Sequence, residues 1–133
     1  MTPEQYNVLE EKATAAVGHP DASCQIAMAN IYKAAGLMAP EVAIPDGDRS
    51  WAQTQGRSLI AEWVDGSGLF ESIDEIEPGA LIGFKLGHTL HHVAIALSGG
   101  RMVHVFGVHG VQIAACIPHE WQKRVGRIWR IKA

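Results

Sequence analysis

The sequence predicts an α+β domain, and three observations carry that prediction. Apolar residues recur at helical spacing over residues 3–17 and 23–35, and each run is stopped by a glycine, Gly18 and Gly36. From Glu77-Pro78-Gly79 onward the character changes to short apolar or β-branched runs separated by Gly, Ser, Pro and His. No repeat, low-complexity segment or linker interrupts the 133 residues, so residues 1–133 are expected to form one domain, N-terminal helices packed on a C-terminal antiparallel β-sheet.

The elements follow in order. Pro3 suits a first helical turn, and Glu4 adds negative charge where the helix dipole favours it. Tyr6, Leu9, Ala13, Ala16 and Val17 form a modest apolar stripe. In the second helix Cys24, Ala27, Met28, Ile31 and Ala35 share a face, with Asp21 or Ser23 as the cap. Residues 38–50 hold Pro40, Pro45 and Gly47 among aspartates and read as irregular. A third helix is expected over residues 50–63, with Trp51, Ser58, Leu59 and Trp63 as its buried positions. Residues 69–73 are a short strand or a turn. Strands are expected over residues 80–86, 91–97, 101–106, 111–115 and 127–131, joined as a meander, with Gly99-Gly100 as a hairpin turn.

A chain of this length can bury a core without cross-links. Composition is that of an ordinary globular protein, 47% hydrophobic and 19% charged. The net charge of −3 gives no footprint for nucleic acid. The basic residues from Lys123 to Lys132 read as a solvated edge strand. No apolar segment is long enough to span a membrane, and no signal peptide is visible, so synthesis in the cytoplasm is expected. Two cysteines make no disulfide framework.

Candidate chemistry lies in one thiol and a histidine-rich hairpin. Cys24 falls in the first turn of the second helix. The dipole there favours a thiolate, and the free N–H groups can hold an oxyanion. His92 opens the apolar strand Val93-Ala94-Ile95-Ala96-Leu97 and is the candidate base. Strict alternation along a strand lets at most one of His91 and His92 face the thiol, and His91 is expected to point away. His104, across the hairpin turn, can hold the tautomer of His92. A lone buried cysteine or a satisfied strand histidine is the competing structural account of each. His88, His91, His92, His104 and His109 match no established zinc spacing, so no metal is expected. Cys116, inside an apolar run, reads as core. The four tryptophans at 51, 63, 121 and 129 are assigned to packing.

Ser23-Cys24-Gln25-Ile26-Ala27, running on to Ile31-Tyr32-Lys33-Ala34-Ala35-Gly36, resembles the nucleophile helix of the NlpC-type cell-wall cysteine peptidases, which have a papain-like fold. Glu77-Pro78-Gly79-Ala80-Leu81-Ile82-Gly83-Phe84 is similar to that family's "PGDLVFF" strand. His92-Val93-Ala94-Ile95-Ala96-Leu97, then Gly100-Arg101-Met102-Val103-His104, is similar to its "HVGIYLGDGRMIHA" hairpin. The order and spacing of the three together make the resemblance specific. It implies a papain-like domain with Cys24 as nucleophile, His92 as general base and His104 as orienting residue. It implies hydrolysis of amide bonds in peptidoglycan stem peptides, of the γ-D-glutamyl-diamino acid type, with no cofactor.

The chain also departs from the family. Ser23 stands where the family has Asp, Gln25-Ile26 where it has Ser-Gly, and the upstream "PY-x-W-G-G" phrase is absent. These departures motivate the alternative, a non-catalytic papain-like module in phage tail assembly or wall binding. A thiol amidase or acyltransferase with another substrate is a third reading. The ending from Trp121 to Arg130 resembles phage and prophage members, which implies association with a virion or tail, tail proteins among the partners, or delivery to the wall.

Overall fold

A computed structural model describes residues 1–20, 23–45, 58–87, 89–115 and 117–133. The expectations for Asp21, Trp51, His88 and Cys116, and for the first part of the third helix, lie outside the described residues.

Helix α1 runs Pro3–Ala16. Thr2 and Gln5 form a reciprocal capping box at its start, which satisfies two donors that the helix itself leaves open. Leu9 and Ala13 are its fully buried residues. Its other face reaches the hairpin: Glu10 pairs with Arg101, and the Ser98 N–H donates to the Tyr6 hydroxyl at 2.6 Å. Helix α2, Cys24–Ala34, buries Ala27, Met28 and Ile31, the stripe predicted from spacing, and also Ala29 and Tyr32. The Tyr32 hydroxyl donates to the Gly79 carbonyl at 2.8 Å, tying α2 to the turn before the second strand. Full burial pushes the Tyr32 pKa far upward, so this phenol remains a donor.

Helix α3, Leu59–Gly66, starts at Ser58, whose hydroxyl accepts from the Ala61 N–H and donates to the Leu90 carbonyl at 3.0 Å. Its buried residues are Ile60 and Val64, one position from the expected Leu59 and Trp63. It runs past Trp63 to Gly66.

Six strands form one antiparallel sheet: β1 Phe70–Ser72, β2 Leu81–Leu86, β3 Thr89–Ala96, β4 Met102–Val105, β5 Val111–Ala114 and β6 Val125–Ile131. The order is β1-β6-β2-β3-β4-β5. Strands β2 to β5 are the predicted meander, and Gly99 and Gly100 turn the β3–β4 hairpin with φ of +74° each. The last strand departs from the prediction. It returns across the sheet to insert between β1 and β2, so β6 is interior. Its arginines are paired: Arg127 with Asp65, and Arg130 with Glu71 and Glu77. The solvated basic edge is thus corrected to an interior strand whose arginines are neutralised by carboxylates from α3, β1 and the loop before β2.

The sheet has two covered faces. Leu81, Val93, Ile95, Val103 and Trp129 pack with the residues of α1, α2 and α3. Ile82, Phe84, Ala94, Ala96 and Met102 form a smaller cluster with Trp121 of the short helix α4, His119–Gln122. The chain between α1 and α2 is held to β5: the Gly18 N–H donates to the Val111 carbonyl at 2.7 Å, and the Val111 N–H to the His19 carbonyl at 3.0 Å. Gly110 makes this approach possible. It has φ +69° and ψ −147°, and an added Cβ would lie 2.3 Å from the His19 carbonyl oxygen. Gly110→Ala should therefore destabilise the fold by about 1–3 kcal/mol, read as a lower urea midpoint at an unchanged slope. An unchanged midpoint would mean that the chain entering α2 is not held at β5.

Candidate active site

Cys24 is the first residue of α2, and Ser23 precedes it in extended conformation, φ −138° and ψ 151°. The Ser23 side chain makes no cap hydrogen bond, and its buried hydroxyl has no partner among the described residues. The thiol is half-buried. Its sulfur lies 3.5 Å from Oε1 of Gln25 and 3.7 Å from the carbonyl oxygen of His91. Gln25 is itself held, its amide donating to the Pro45 carbonyl at 3.3 Å. The thiol therefore meets the hairpin at the peptide joining His91 to His92, sixty-seven residues away in sequence.

That peptide is irregular. Lys85 is opposite Leu90 and Phe84 is opposite His92, so His91 is the extra residue of a β-bulge. Alternation fails at a bulge. His91 and His92 both line a cleft of about 320 Å³ with Phe84, Phe106 and Trp121, while the contact with the thiol is made by the His91 backbone carbonyl. Beyond the bulge alternation resumes, with Val93 on the α2 face and Ala94 on the α4 face.

His92 and His104 meet. Nε2 of His92 lies 3.2 Å from Nδ1 of His104, with the rings nearly perpendicular. A contact between two imidazole nitrogens needs one proton, which either ring can supply according to its tautomer. His104 is 5% exposed, and desolvation holds its pKa below the ordinary 6.5. A neutral His104 has one ring nitrogen free to accept; when that nitrogen is Nδ1, Nε2–H of His92 donates and Nδ1 of His92 is the basic nitrogen.

Aromatic rings wall the pair. The Trp121 ring stands edge-on to His92 at 4.9 Å and to His104 at 5.3 Å, and Phe84 packs against both His92 and Trp121. Trp121 packs on the sheet, as the sequence reading assigned it, and also walls the histidine pair, a role that reading did not anticipate. The available signal was its place as a large aromatic in the polar stretch His119-Glu120-Trp121-Gln122. His109 stacks on Phe106 at 6.0 Å, and Phe106 in turn meets His104 at 5.8 Å.

A cysteine at a helix start, set against an antiparallel sheet that carries a histidine pair, is the papain-like architecture. Residues 23–130 match the model of the NlpC/P60 family, and the chain belongs to that family. Among solved structures it is similar to a lipoprotein-like NLP/P60-family protein of Staphylococcus aureus, with TM-score 0.64 and 20% identity. That likeness covers 100% of this chain and 43% of the other, so this chain spans less than half the length of that protein. It is also similar to the NlpC/p60 domain of the peptidoglycan hydrolase SagA, with TM-score 0.53 and 15% identity, over 96% of this chain and 98% of that domain. A search of the curated proteins finds no match.

Proposed function

We propose that this protein is a cysteine peptidase that hydrolyses an amide bond in peptidoglycan stem peptides, of the γ-D-glutamyl-diamino acid type. The observation that carries this reading is the meeting of the Cys24 thiol with the His91–His92 peptide, next to an imidazole pair 3.2 Å apart. In this reading Nε2–H of His92 donates to His104, and Nδ1 of His92 is the basic nitrogen. Family membership and the peptidoglycan hydrolase among the similar structures support the substrate class.

The thiol proton passes to Nδ1 of His92, and the sulfur attacks the scissile carbonyl carbon. The first-turn N–H groups of α2 receive the oxyanion. The intermediate collapses as the imidazolium returns its proton to the leaving amine, giving an acyl-Cys24 enzyme and a free amino group. Water then attacks the thioester, His92 takes its proton, and the thiol is restored with release of the carboxylic acid. Through both halves His104 accepts from Nε2–H, which is strongest when His92 is positively charged. Trp121 and Phe84 keep bulk water off the pair.

The test is release of new amino groups from L-Ala-γ-D-Glu-L-Lys-D-Ala. Turnover should stop when Cys24 is carboxymethylated, with the modified peptide identified by mass spectrometry. Release that continues after complete modification would remove Cys24 from the mechanism, and no release from this peptide or from whole peptidoglycan would end the substrate assignment.

A further inference from the structure

The cleft beside His92 holds two cations that nothing among the described residues neutralises. Lys85 and Arg124 line it together with His91 and His92. The other described arginines each have a carboxylate: Arg101 has Glu10, Arg127 has Asp65, and Arg130 has Glu71 and Glu77. Among the described residues Arg124 and Lys85 have no such partner. Among the described residues the arginines are otherwise paired, so the exception lies where a ligand would supply the missing charge.

The backbone holds this exception in place. Strand β2 is flanked by two irregularities at the same level. His91 bulges from β3 opposite Phe84 and Lys85, and Gly126 is the extra residue of β6, since Gly83 is opposite Arg127 and Phe84 is opposite Val125. The Lys85 N–H donates to the Arg124 carbonyl at 2.7 Å, which fixes the two residues side by side. The Lys85 stem lies on Gly126: a Cβ there would come within 2.8 Å of Cε and 2.9 Å of Cγ. A glycine at this position leaves the stem a bed and keeps the ammonium beside the cleft.

The geometry points to a carboxylate-binding subsite formed by Lys85 and Arg124, which selects substrates bearing a free carboxylate next to the scissile amide over the corresponding carboxamides. Arginine presents a planar fork that can take a carboxylate through two hydrogen bonds, and lysine adds a point charge. A carboxamide of the same shape brings N–H groups toward those donors and loses the charge. This inference rests on the proposed function for its substrate class, and two carboxylates of such a peptide could fill the subsite, that of the glutamyl residue or that of the chain end.

The experiment uses the full chain carrying Cys24→Ala and measures binding by titration calorimetry. The probes are L-Ala-γ-D-Glu-L-Lys, the same tripeptide with the glutamyl α-carboxylate as carboxamide, and the same tripeptide with a C-terminal carboxamide. One of the two amides should bind about tenfold more weakly than the parent, and which one identifies the carboxylate. Adding Lys85→Gln and Arg124→Gln together should weaken the parent by about the same factor and abolish the difference, while Lys132→Gln, an exposed charge elsewhere, should leave it intact. Circular dichroism of each variant checks that the fold is kept. Equal binding of all three probes, or a difference that survives the double replacement, overturns the subsite. The wild-type enzyme separates the two proposals. Turnover with equal kcat/KM for acid and amide leaves the peptidase standing without the subsite. Acid-selective binding without turnover leaves the subsite standing without the peptidase. Absence of both binding and turnover removes both.

Discussion

Cys24→Ala and His92→Ala are each expected to lower kcat by about 10³-fold or more, and the double replacement is expected to be hardly worse than either. Nucleophile and base work as one unit, so removing either removes the activated sulfur. His104→Ala should cost less, because the base itself remains and only its tautomer and orientation are released. His104→Asn should recover part of the loss, since an amide oxygen can accept from Nε2–H of His92, and a merely structural role for His104 predicts no such difference between Asn and Ala. The pH dependence has a definite sign. Burial lowers the folded pKa of His104 below its ordinary 6.5. Between these two values the unfolded chain binds more protons than the folded one, so stability rises with pH through that window. This contribution is fully present above about 6.5 and is lost as pH falls toward the folded value. Protonated His104 also cannot accept from His92. Wild-type kcat should therefore fall on the acid side together with stability, and His104→Asn should lose the part of the stability change that His104 carries. An acid limb of stability identical in wild type and His104→Asn would assign it to other groups.

Trp129→Ala is expected to cost about 3–5 kcal/mol, a large share of the roughly 5–15 kcal/mol that holds a domain of this size. Trp129 is 1% exposed and is among the largest side chains in the core. Its ring lies against the bare Cα of Gly83, where an added Cβ would come within 3.0 Å of it. The indole N–H donates to Asp65 at 3.0 Å, and the Arg127 guanidinium sits 4.9 Å from the ring centre while forming two hydrogen bonds with the same carboxylate. Arg127 and the indole together hold the Asp65 carboxyl below the usual carboxylate range. Removing the ring leaves a cavity under β2 and takes one donor from that ion. Trp129→Phe should retain most of the packing and lose only the donor, so a loss of about 1–2 kcal/mol is expected for it. Equilibrium urea unfolding of the two variants separates the contributions. Equal losses would mean that the indole hydrogen bond, rather than ring volume, dominates.

The elements that local spacing specifies are close to those observed. Residues 3–17 and 23–35 fold as Pro3–Ala16 and Cys24–Ala34, because their apolar spacing and glycine stops are properties of a few neighbouring residues. Cys24 stands at the helix start for the same reason. The hairpin turn at Gly99 and Gly100 is equally local. The contact of His92 with His104 was accessible because two short strands and a tight turn bring such positions face to face.

Other features were settled at longer range. The return of β6 between β1 and β2 depends on backbone pairing between segments some forty to sixty residues apart, which leaves no local pattern. The same holds for the pairing of Arg127 and Arg130 with carboxylates, which turned an expected basic edge into a neutralised interior strand. Trp121 is a wall of the histidine pair only because α4 folds under the sheet.

From the amino-acid sequence alone came the fold class, the family resemblance, the thiol at a helix start and the histidines on a hairpin, since these rest on periodicity and short motifs. Only the tertiary structure decided how the hairpin meets the thiol. It does so at a bulge, where one extra residue suspends alternation, brings the His91 carbonyl to 3.7 Å from the sulfur, and lets both histidines line one cleft. A bulge is a mismatch between two strands, so it becomes visible only once both are in register.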